Sequence, residues 1–258
     1  MANPLTGNAY QSLRQAFVPC KRGRWTQTGK PDRHVIPWSL IDAARVPGGG
    51  ELRLMRRGVE FSIRLDGNEL MNSRLSGSEQ ALATLTCEKI AGRQQPQILI
   101  GGLGMGFTLR AALAALPADA EIVVAELVPA VVAWARGPMA EIFGDSLTDR
   151  RVSIREMDVS ELIRPAQSAY DAILLDVDNG PEGLSRQAND ALYDLEGLRA
   201  AHTALKAGGV LAVWSSAPNQ DFTRRLRQAA FGVDEVRTRA NGARGGARHV
   251  IWIATRGA

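Results

Sequence analysis

Four glycines follow directly on a short apolar run near the middle of the chain. Gly101, Gly102, Gly104 and Gly106 come at or just after the end of QILI, and FTLRAALAAL begins immediately behind them. Glycine allows a sharp backbone turn and a close approach to a ligand, and the start of a helix adds unpaired N–H groups. The segment therefore predicts a strand, a ligand-binding loop and a helix, which form the first unit of a wound α/β sheet.

From residue 76 onward, apolar runs alternate with helix-like segments. SGSEQALATLTCEKIAG has a Ser-x-x-Glu start at Ser76 and Glu79, which predicts a helix opened by a capping box. Further strands are predicted at EIVVAE, RVSIREMD, DAILLDV and GGVLAVWSS, and helices at PAVVAWARGPMAEIF and ANDALYDLEGLRAAHTAL. VDEVRTRA and RHVIWIAT flank NGARGG and predict a closing hairpin. The pattern predicts an α/β fold with a doubly wound, mostly parallel Rossmann-like sheet and a C-terminal antiparallel hairpin.

The chain before residue 76 follows a different pattern. Phe61, Ile63 and Leu65 alternate with polar residues, and Asp66-Gly67 is a strong hairpin signal. We therefore expect a small N-terminal β-sheet at residues 34–75 and the α/β domain at residues 76–258. Residues 1–33 are polar and broken by Gly and Pro, which predicts a poorly ordered arm.

Composition excludes several classes of protein. Acidic residues interrupt the longest apolar region, and the N-terminus has no apolar signal core, so we expect no membrane span and a cytoplasmic location. The two cysteines are far apart and the three histidines are scattered, which predicts neither a disulfide framework nor a metal site. The net charge of +4 is modest, so nucleic acid is not expected as a partner.

The spacing of the glycines indicates the kind of ligand. The dinucleotide fingerprint is G-x-G-x-x-G, whereas this chain has Gly102-x-Gly104-x-Gly106, and Phe107 takes the place of the third dinucleotide glycine. G-x-G-x-G is typical of transferases that use S-adenosylmethionine, and no G-x-x-x-x-G-K-[ST] sequence is present for a nucleoside triphosphate. The spacing thus predicts an S-adenosylmethionine-type cofactor whose amino-acid end is covered by the loop, with Met105 among the contacting residues.

Two acidic residues at strand ends complete the predicted nucleoside site. Glu126 ends the second strand of the wound sheet, about 20 residues after the loop, where an acid accepts hydrogen bonds from ribose hydroxyls. Asp158 follows the third strand, where a carboxylate can accept from the adenine amino group. Their neighbours Leu127 and Val159 join the predicted cofactor-binding set. The alternatives are an exposed strand-end carboxylate for Glu126 and a helix cap for Asp158.

The predicted reaction centre is DAILLDVDNGP. Asp176 and Asp178 follow the fourth strand, whose end faces the same crevice as the glycine loop. Because a sulfonium is already activated, the protein mainly positions the reactants and removes a proton from the acceptor. Asp176 is the predicted base and cofactor neighbour, and Asp178 is a second catalytic candidate. The alternative for one of them is to order the turn at residues 179–181.

Taken together, residues 35–215 resemble the spermidine synthase family. The resemblance includes LDG, SGSEQALA, GGLGMGFTLR, AELVPAVV, MDVSEL, LLDVDNGP and LKAGGVLAV. It implies a small N-terminal sheet before a methyltransferase-like domain, a homodimer, and aminopropyl transfer from decarboxylated S-adenosylmethionine to an amine, with methylthioadenosine as product. It also implies the cofactor loop at the three glycines, the ribose acid at Glu126, the adenine acid at Asp158 and the catalytic Asp at Asp176.

The sequence departs from that family on the amine side. Leu70 stands where D-G-x-x-Q has Gln, Ser76-Gly77-Ser78-Glu79 replaces S-Y-H-E, Met105 replaces the Asp of G-G-G-D-G, and DVDNGP shortens D-S-S-D-P. We therefore expect a spermidine synthase-like transferase whose small-molecule acceptor is an amine other than putrescine. The alternatives are a methyltransferase that uses intact S-adenosylmethionine and releases S-adenosylhomocysteine, a catalytically inactive nucleoside-binding homologue, and a nucleic-acid methyltransferase.

Overall fold

The computed structural model describes residues 36–47, 49–177, 181 and 191–257. The predicted α/β architecture is confirmed, with one mostly parallel sheet, one smaller antiparallel sheet and a C-terminal hairpin. The predicted arm at residues 1–33 and the candidate Asp178 lie outside the described residues. The division of the chain at residue 75 stays a prediction.

The N-terminal sheet is an antiparallel meander. Its strands follow the chain in the order β1-β2-β3-β4, with bounds Ser39–Arg45, Glu51–Arg57, Glu60–Leu65 and Asn68–Asn72. Asp66 and Gly67 both have positive φ, at 47° and 90°, as a tight turn between β3 and β4 requires. The Asp42 carboxylate of β1 accepts a 2.7 Å hydrogen bond from the Trp134 indole, so this sheet is tied to the helices of the larger layer.

The large sheet contains seven described strands in the order β10-β11-β9-β8-β5-β6-β7. β11 is antiparallel to both neighbours, and the other pairings are parallel. The chain runs from β5 outward to β7 and then returns to β8 on the other side of β5, which creates a crevice at the carboxyl ends of β5, β6 and β8. The strands are Gln97–Gly101, Glu121–Glu126, Val152–Glu156, Tyr170–Leu175, Leu205–Ser215, Phe231–Arg239 and Arg248–Arg256.

Helices cover both faces of this sheet, because successive strand residues point to opposite faces and both faces are apolar. Ile98 and Ile100 belong to one buried cluster, whereas Leu99 between them belongs to the other. The described helices α1 to α7 are Gly77–Lys89, Phe107–Ala115, Pro129–Arg136, Ala140–Phe143, Val159–Ile163, Leu195–Ala204 and Gln220–Gln228. Within the described part of the chain, no helix is long and apolar enough to cross a membrane.

Two predicted helices are interrupted. PAVVAWARGPMAEIF forms α3 and α4 rather than one helix, since α3 ends at Arg136 and Pro138, which cannot donate to a helix, follows Gly137. The segment predicted as one helix from residue 188 to 205 contains a fresh start at Asp194. The Asp194 carboxylate caps α6 by accepting a 2.8 Å hydrogen bond from the Gly197 N–H.

The capping box predicted for α1 is not formed. Ser76 occupies the N-cap position, but its side chain makes no capping hydrogen bond and instead accepts one from Gln80 Nε2 at 3.2 Å. Glu79 accepts a 2.6 Å hydrogen bond from the Ser78 hydroxyl and lines a cavity. Helix α1 is therefore present as predicted, while the Glu79 carboxylate that was expected to cap it lines the cavity instead.

Candidate functional site

A cavity of about 170 Å³ lies at the carboxyl ends of β5, β6 and β8. The glycine loop, the turns that follow β6 and β7, and the first residues after β8 form part of its lining, and side chains of the N-terminal sheet form another part. The cavity thus occupies the place that the reversal of strand order predicts for a ligand. It is lined by all of the predicted site residues that the structure describes: Gly102, Gly104, Met105, Gly106, Glu126, Leu127, Asp158, Val159 and Asp176.

The glycine loop is fixed by contacts with the rest of the protein. Gly102 has a φ of +93°, and an added Cβ would collide with the carbonyl oxygen of Asp176. Gly106 has a φ of +74° at the N-cap of α2, where a Cβ would collide with the ring of Phe143. A Cβ on Gly104 would lie 3.0 Å from the sulfur of Met71. Each glycine therefore has a packing reason as well as the predicted binding role.

Glu126 forms a hydrogen bond to the backbone of the glycine loop. The residue is 8% exposed, and its carboxylate accepts 2.9 Å hydrogen bonds from the backbone N–H groups of Leu103 and Val128. Burial raises the pKa of the Glu126 carboxyl, and the backbone N–H donors oppose that rise because they stabilise the ionised form. The predicted alternative, an exposed strand-end carboxylate, is wrong for this residue.

Asp158 lines the cavity and also caps a helix. Its Oδ1 accepts a 2.8 Å hydrogen bond from the Ser160 N–H at the start of α5, which is the alternative that the sequence left open. A cap occupies one carboxylate oxygen and leaves the other available to a ligand, so the two roles are compatible. Val159, next in the chain, is buried and lies beside Gly101 of the loop.

Asp176 is a half-buried carboxyl in the cavity at the end of β8. Its pKa is raised to about 7, first by burial and then by the negative charge of Glu79, while the hydroxyl of Thr108 opposes both by donating a 2.6 Å hydrogen bond to Oδ2. Its backbone N–H donates to the Gly101 carbonyl at 2.9 Å, which joins β8 to the start of the glycine loop. A carboxyl with a pKa near neutrality is suited to accept and release a proton.

Glu79 is the site residue that sequence reasoning placed in a helix cap instead. It lies in the first turn of α1, and burial raises its pKa while the Ser78 hydroxyl opposes the rise. Ser78 is fully buried, and its oxygen is 2.9 Å from Nδ1 of His249. A polar chain therefore runs from His249 through Ser78 to Glu79.

Trp214 also lines the cavity, although the apolar run GGVLAVWSS around it is typical of a core strand, as the apolar runs around Trp134 and Trp252 are typical of core elements. Trp134 and Trp252 are indeed buried, at 2% and 0% exposed. Trp214 is only partly buried, lines the cavity and packs edge-on against His249 with ring centroids 4.8 Å apart. Trp214 packs against the core cluster and also lines the cavity, because it lies near the carboxyl end of β9.

The predicted absence of a metal site stays a prediction. Among the residues that the structure describes, no group of three His, Cys, Asp or Glu side chains could hold a metal ion. Cys87 is buried, and its pKa is raised to about 11 by burial and by Glu88.

The fold is similar to that of solved structures. A spermidine synthase from Thermotoga maritima aligns with a TM-score of 0.66 and 19% sequence identity over 84% of this chain and 73% of its own. A spermidine synthase in complex with the transition state analogue AdoDATO aligns with a TM-score of 0.65 and 19% identity, over 84% and 72%. The chain has a spermidine synthase-like fold.

A third structure with this spermidine synthase-like fold is a probable spermidine synthase from Corynebacterium glutamicum. It aligns with a TM-score of 0.59 and 14% identity over 84% of this chain and 79% of its own. No family model and no curated protein sequence matches the chain. At these identities the likeness shows the spermidine synthase-like fold alone.

Proposed function

We propose that the protein is a spermidine synthase-like transferase. In this proposal it binds decarboxylated S-adenosylmethionine or S-adenosylmethionine and transfers an aminopropyl-type group to an amine acceptor other than putrescine. The observation that carries the proposal is the Asp176 carboxyl, which has a pKa of about 7 and lies in the cavity beside the glycine loop. The fold and its likeness to a structure in complex with the analogue AdoDATO support it.

The described residues fit the nucleoside part of such a donor. Glu126 and Asp158 place carboxylate oxygens at adjacent strand ends of one cavity, and the glycine loop lines the same cavity. In this proposal Glu126 receives the ribose hydroxyls and Asp158 the adenine amino group. Leu127 and Val159 supply apolar contact with the nucleoside, and Met105 belongs to the loop that covers the amino-acid end of the donor.

The reaction needs one proton to be removed. When bound, the donor supplies a carbon activated by sulfonium, whose bond to sulfur breaks with the electron pair left on sulfur as the acceptor nitrogen bonds to that carbon. Asp176 takes the proton from the acceptor ammonium and so exposes the nitrogen lone pair. Thr108 orients the carboxylate through its hydrogen bond to Oδ2.

Methyl transfer is the second candidate, and Met105 is the residue that favours it. Met105 is 2% exposed, and it stands where the related family has an acid that helps hold the aminopropyl amine. An apolar side chain there removes a partner for that amine and removes a repulsion toward the carboxylate of intact S-adenosylmethionine. A product analysis separates the candidates, since aminopropyl transfer releases methylthioadenosine and methyl transfer releases S-adenosylhomocysteine.

Calorimetry with three ligands tests the proposal at its first step. We expect decarboxylated S-adenosylmethionine and methylthioadenosine to bind, and S-adenosylmethionine to bind more weakly. If none of the three binds at millimolar concentration, the proposed function is lost. If intact S-adenosylmethionine is the only one that binds, the methyltransferase candidate replaces the proposed function.

The homodimer and the cytoplasmic location stay predictions. Light scattering after gel filtration measures the oligomeric state.

A further inference from the structure

Part of the cavity wall is apolar. Leu65, Leu70 and Met71, at the β3–β4 hairpin of the N-terminal sheet, line it together with Trp214. Leu65, Leu70, Met71 and Trp214 are partly buried and pack against the main apolar cluster, so the wall is continuous with the protein core. Met71 reaches the glycine loop beside Gly104. A hydrocarbon group of a ligand would lose its contact with water against this surface, which is favourable in proportion to the apolar area covered.

A pair of carboxylates borders the same cavity. Glu79 and Asp176 both line it, and the charge of Glu79 acts on Asp176. Two sets of hydrogen bonds hold them: His249 and Ser78 support Glu79, and Thr108 supports Asp176. Within the described residues, no Lys or Arg forms an ion pair with either carboxylate, and none lines the cavity.

In the proposed function, the other acidic residues of the described lining serve the nucleoside. Glu126 accepts from two backbone N–H groups beneath the loop, and Asp158 caps α5. The described lining therefore offers one place for a cation, between Glu79 and Asp176, and apolar surface around it. A cation buried against apolar surface without an acidic partner is strongly disfavoured, because it loses its hydration and gains no opposite charge.

We propose that the acceptor is a monoamine with an apolar body. Its ammonium group lies against Glu79 and Asp176, and its hydrocarbon part lies against Leu70, Met71 and Trp214. This inference rests on the proposed function, because it names the class of amine that the transferase accepts. A diamine of the same length places its second ammonium against the apolar wall and is disfavoured.

The test compares n-pentylamine with 1,4-diaminobutane, which have the same number of heavy atoms and differ at the far end only by a methyl group in place of an ammonium group. Their affinities are measured by calorimetry on the full chain saturated with methylthioadenosine. We expect n-pentylamine to bind at least about tenfold more tightly. Equal affinities, or tighter binding of the diamine, would overturn the inference.

Two variants locate the effect. Glu79→Gln should weaken n-pentylamine by about tenfold or more, because it removes half of the acidic pair. Leu70→Gln should reduce the preference for n-pentylamine over the diamine, because it makes the apolar wall polar. Glu88→Gln is the matched control, since Glu88 is exposed on the same helix and should leave both affinities unchanged. An unchanged amine affinity in Glu79→Gln would contradict the assigned pair.

The two proposals fail in different ways. If methylthioadenosine and both donors fail to bind, the proposed function is lost and the acceptor inference is lost with it. If the nucleoside binds to the protein and the diamine is then preferred, the acceptor inference and the exclusion of putrescine are lost, while the transferase proposal stands. Binding of methylthioadenosine to each variant also reports that the variant is folded, so a loss of amine affinity is not confused with unfolding.

Discussion

The hydroxyl of Thr108 donates a 2.6 Å hydrogen bond to Oδ2 of Asp176. Thr108 is the second residue of α2, directly behind the glycine loop, and Asp176 follows β8. The hydrogen bond therefore connects the segment proposed to hold the donor with the residue proposed to remove the proton. The consequences can be tested through the pH dependence of the reaction.

Thr108→Val should raise the pKa of Asp176, because the hydroxyl stabilises the ionised carboxylate and valine keeps the volume without the donor. The acidic limb of kcat/KM, which reports the free enzyme, should move to higher pH by about one unit. Thr108→Ser is the matched control and should keep the wild-type limb. A limb at the wild-type position in Thr108→Val would show that Asp176 is not the titrating base.

Glu79→Gln should move the same limb in the opposite direction. The negative charge of Glu79 raises the pKa of Asp176, so its removal favours the ionised carboxylate and lowers that pKa. We expect a shift to lower pH of about one unit, measured on kcat/KM with a saturating donor. Glu88→Gln should give no shift. Movement of the limb to higher pH would contradict the assigned coupling.

Asp176→Asn should stabilise the fold at alkaline pH while abolishing transfer. The pKa of Asp176 is about 7 in the folded protein and 3.8 when the side chain is free in solution, as in the unfolded chain, so ionisation destabilises the folded state as pH rises through that window. The variant should gain up to about 4 kcal/mol of unfolding free energy above pH 7, with the gain vanishing toward about pH 4.

Urea denaturation across this pH range measures the effect of Asp176→Asn. Asp145→Asn provides a control, because Asp145 is exposed and does not line the cavity. A variant that is no more stable than the wild type at about pH 8 would refute the raised pKa. Retained transfer activity would refute the role of Asp176 as base.

Glu126→Ala should weaken nucleoside binding and loosen the loop together. Its carboxylate accepts from Leu103 and Val128, and an alanine leaves both buried N–H groups without that acceptor. We expect methylthioadenosine affinity to fall by roughly 1–3 kcal/mol, with a lower melting temperature. Glu121→Ala, an exposed position at the start of the same strand, should change neither. Unchanged affinity would exclude Glu126 from the nucleoside site.

The positions of the strand-end acids could be predicted from the sequence because parallel strands share one carboxyl edge. Once the apolar runs are assigned to strands, the residues that follow them must lie near one another, and Glu126, Asp158 and Asp176 do line one cavity. The glycine loop is predictable for the same reason. The pattern of apolar runs also predicts the order of the elements. It does not predict the break between α3 and α4 at Gly137-Pro138.

Glu79, Trp214 and His249 could not be assigned in this way, since their roles depend on pairing across long stretches of chain. β11 runs antiparallel to β9, so its second residue, His249, lies at the edge where the parallel strands end, close to Trp214. Ser78 lies 171 residues from His249 in sequence. In the local sequence, Glu79 has the spacing of a helix cap and Trp214 has the surroundings of a core residue. In the assembled fold both side chains line the cavity.

The close approach of Gly102 to the carbonyl of Asp176 has an evolutionary consequence. A side chain at position 102 is blocked by the protein's own backbone, so selection for folding alone would keep a glycine there in a descendant that had stopped binding any nucleoside. Among homologues, the persistence of that glycine would record shared ancestry. Covariation of residues 79, 108 and 176 would record a shared reaction.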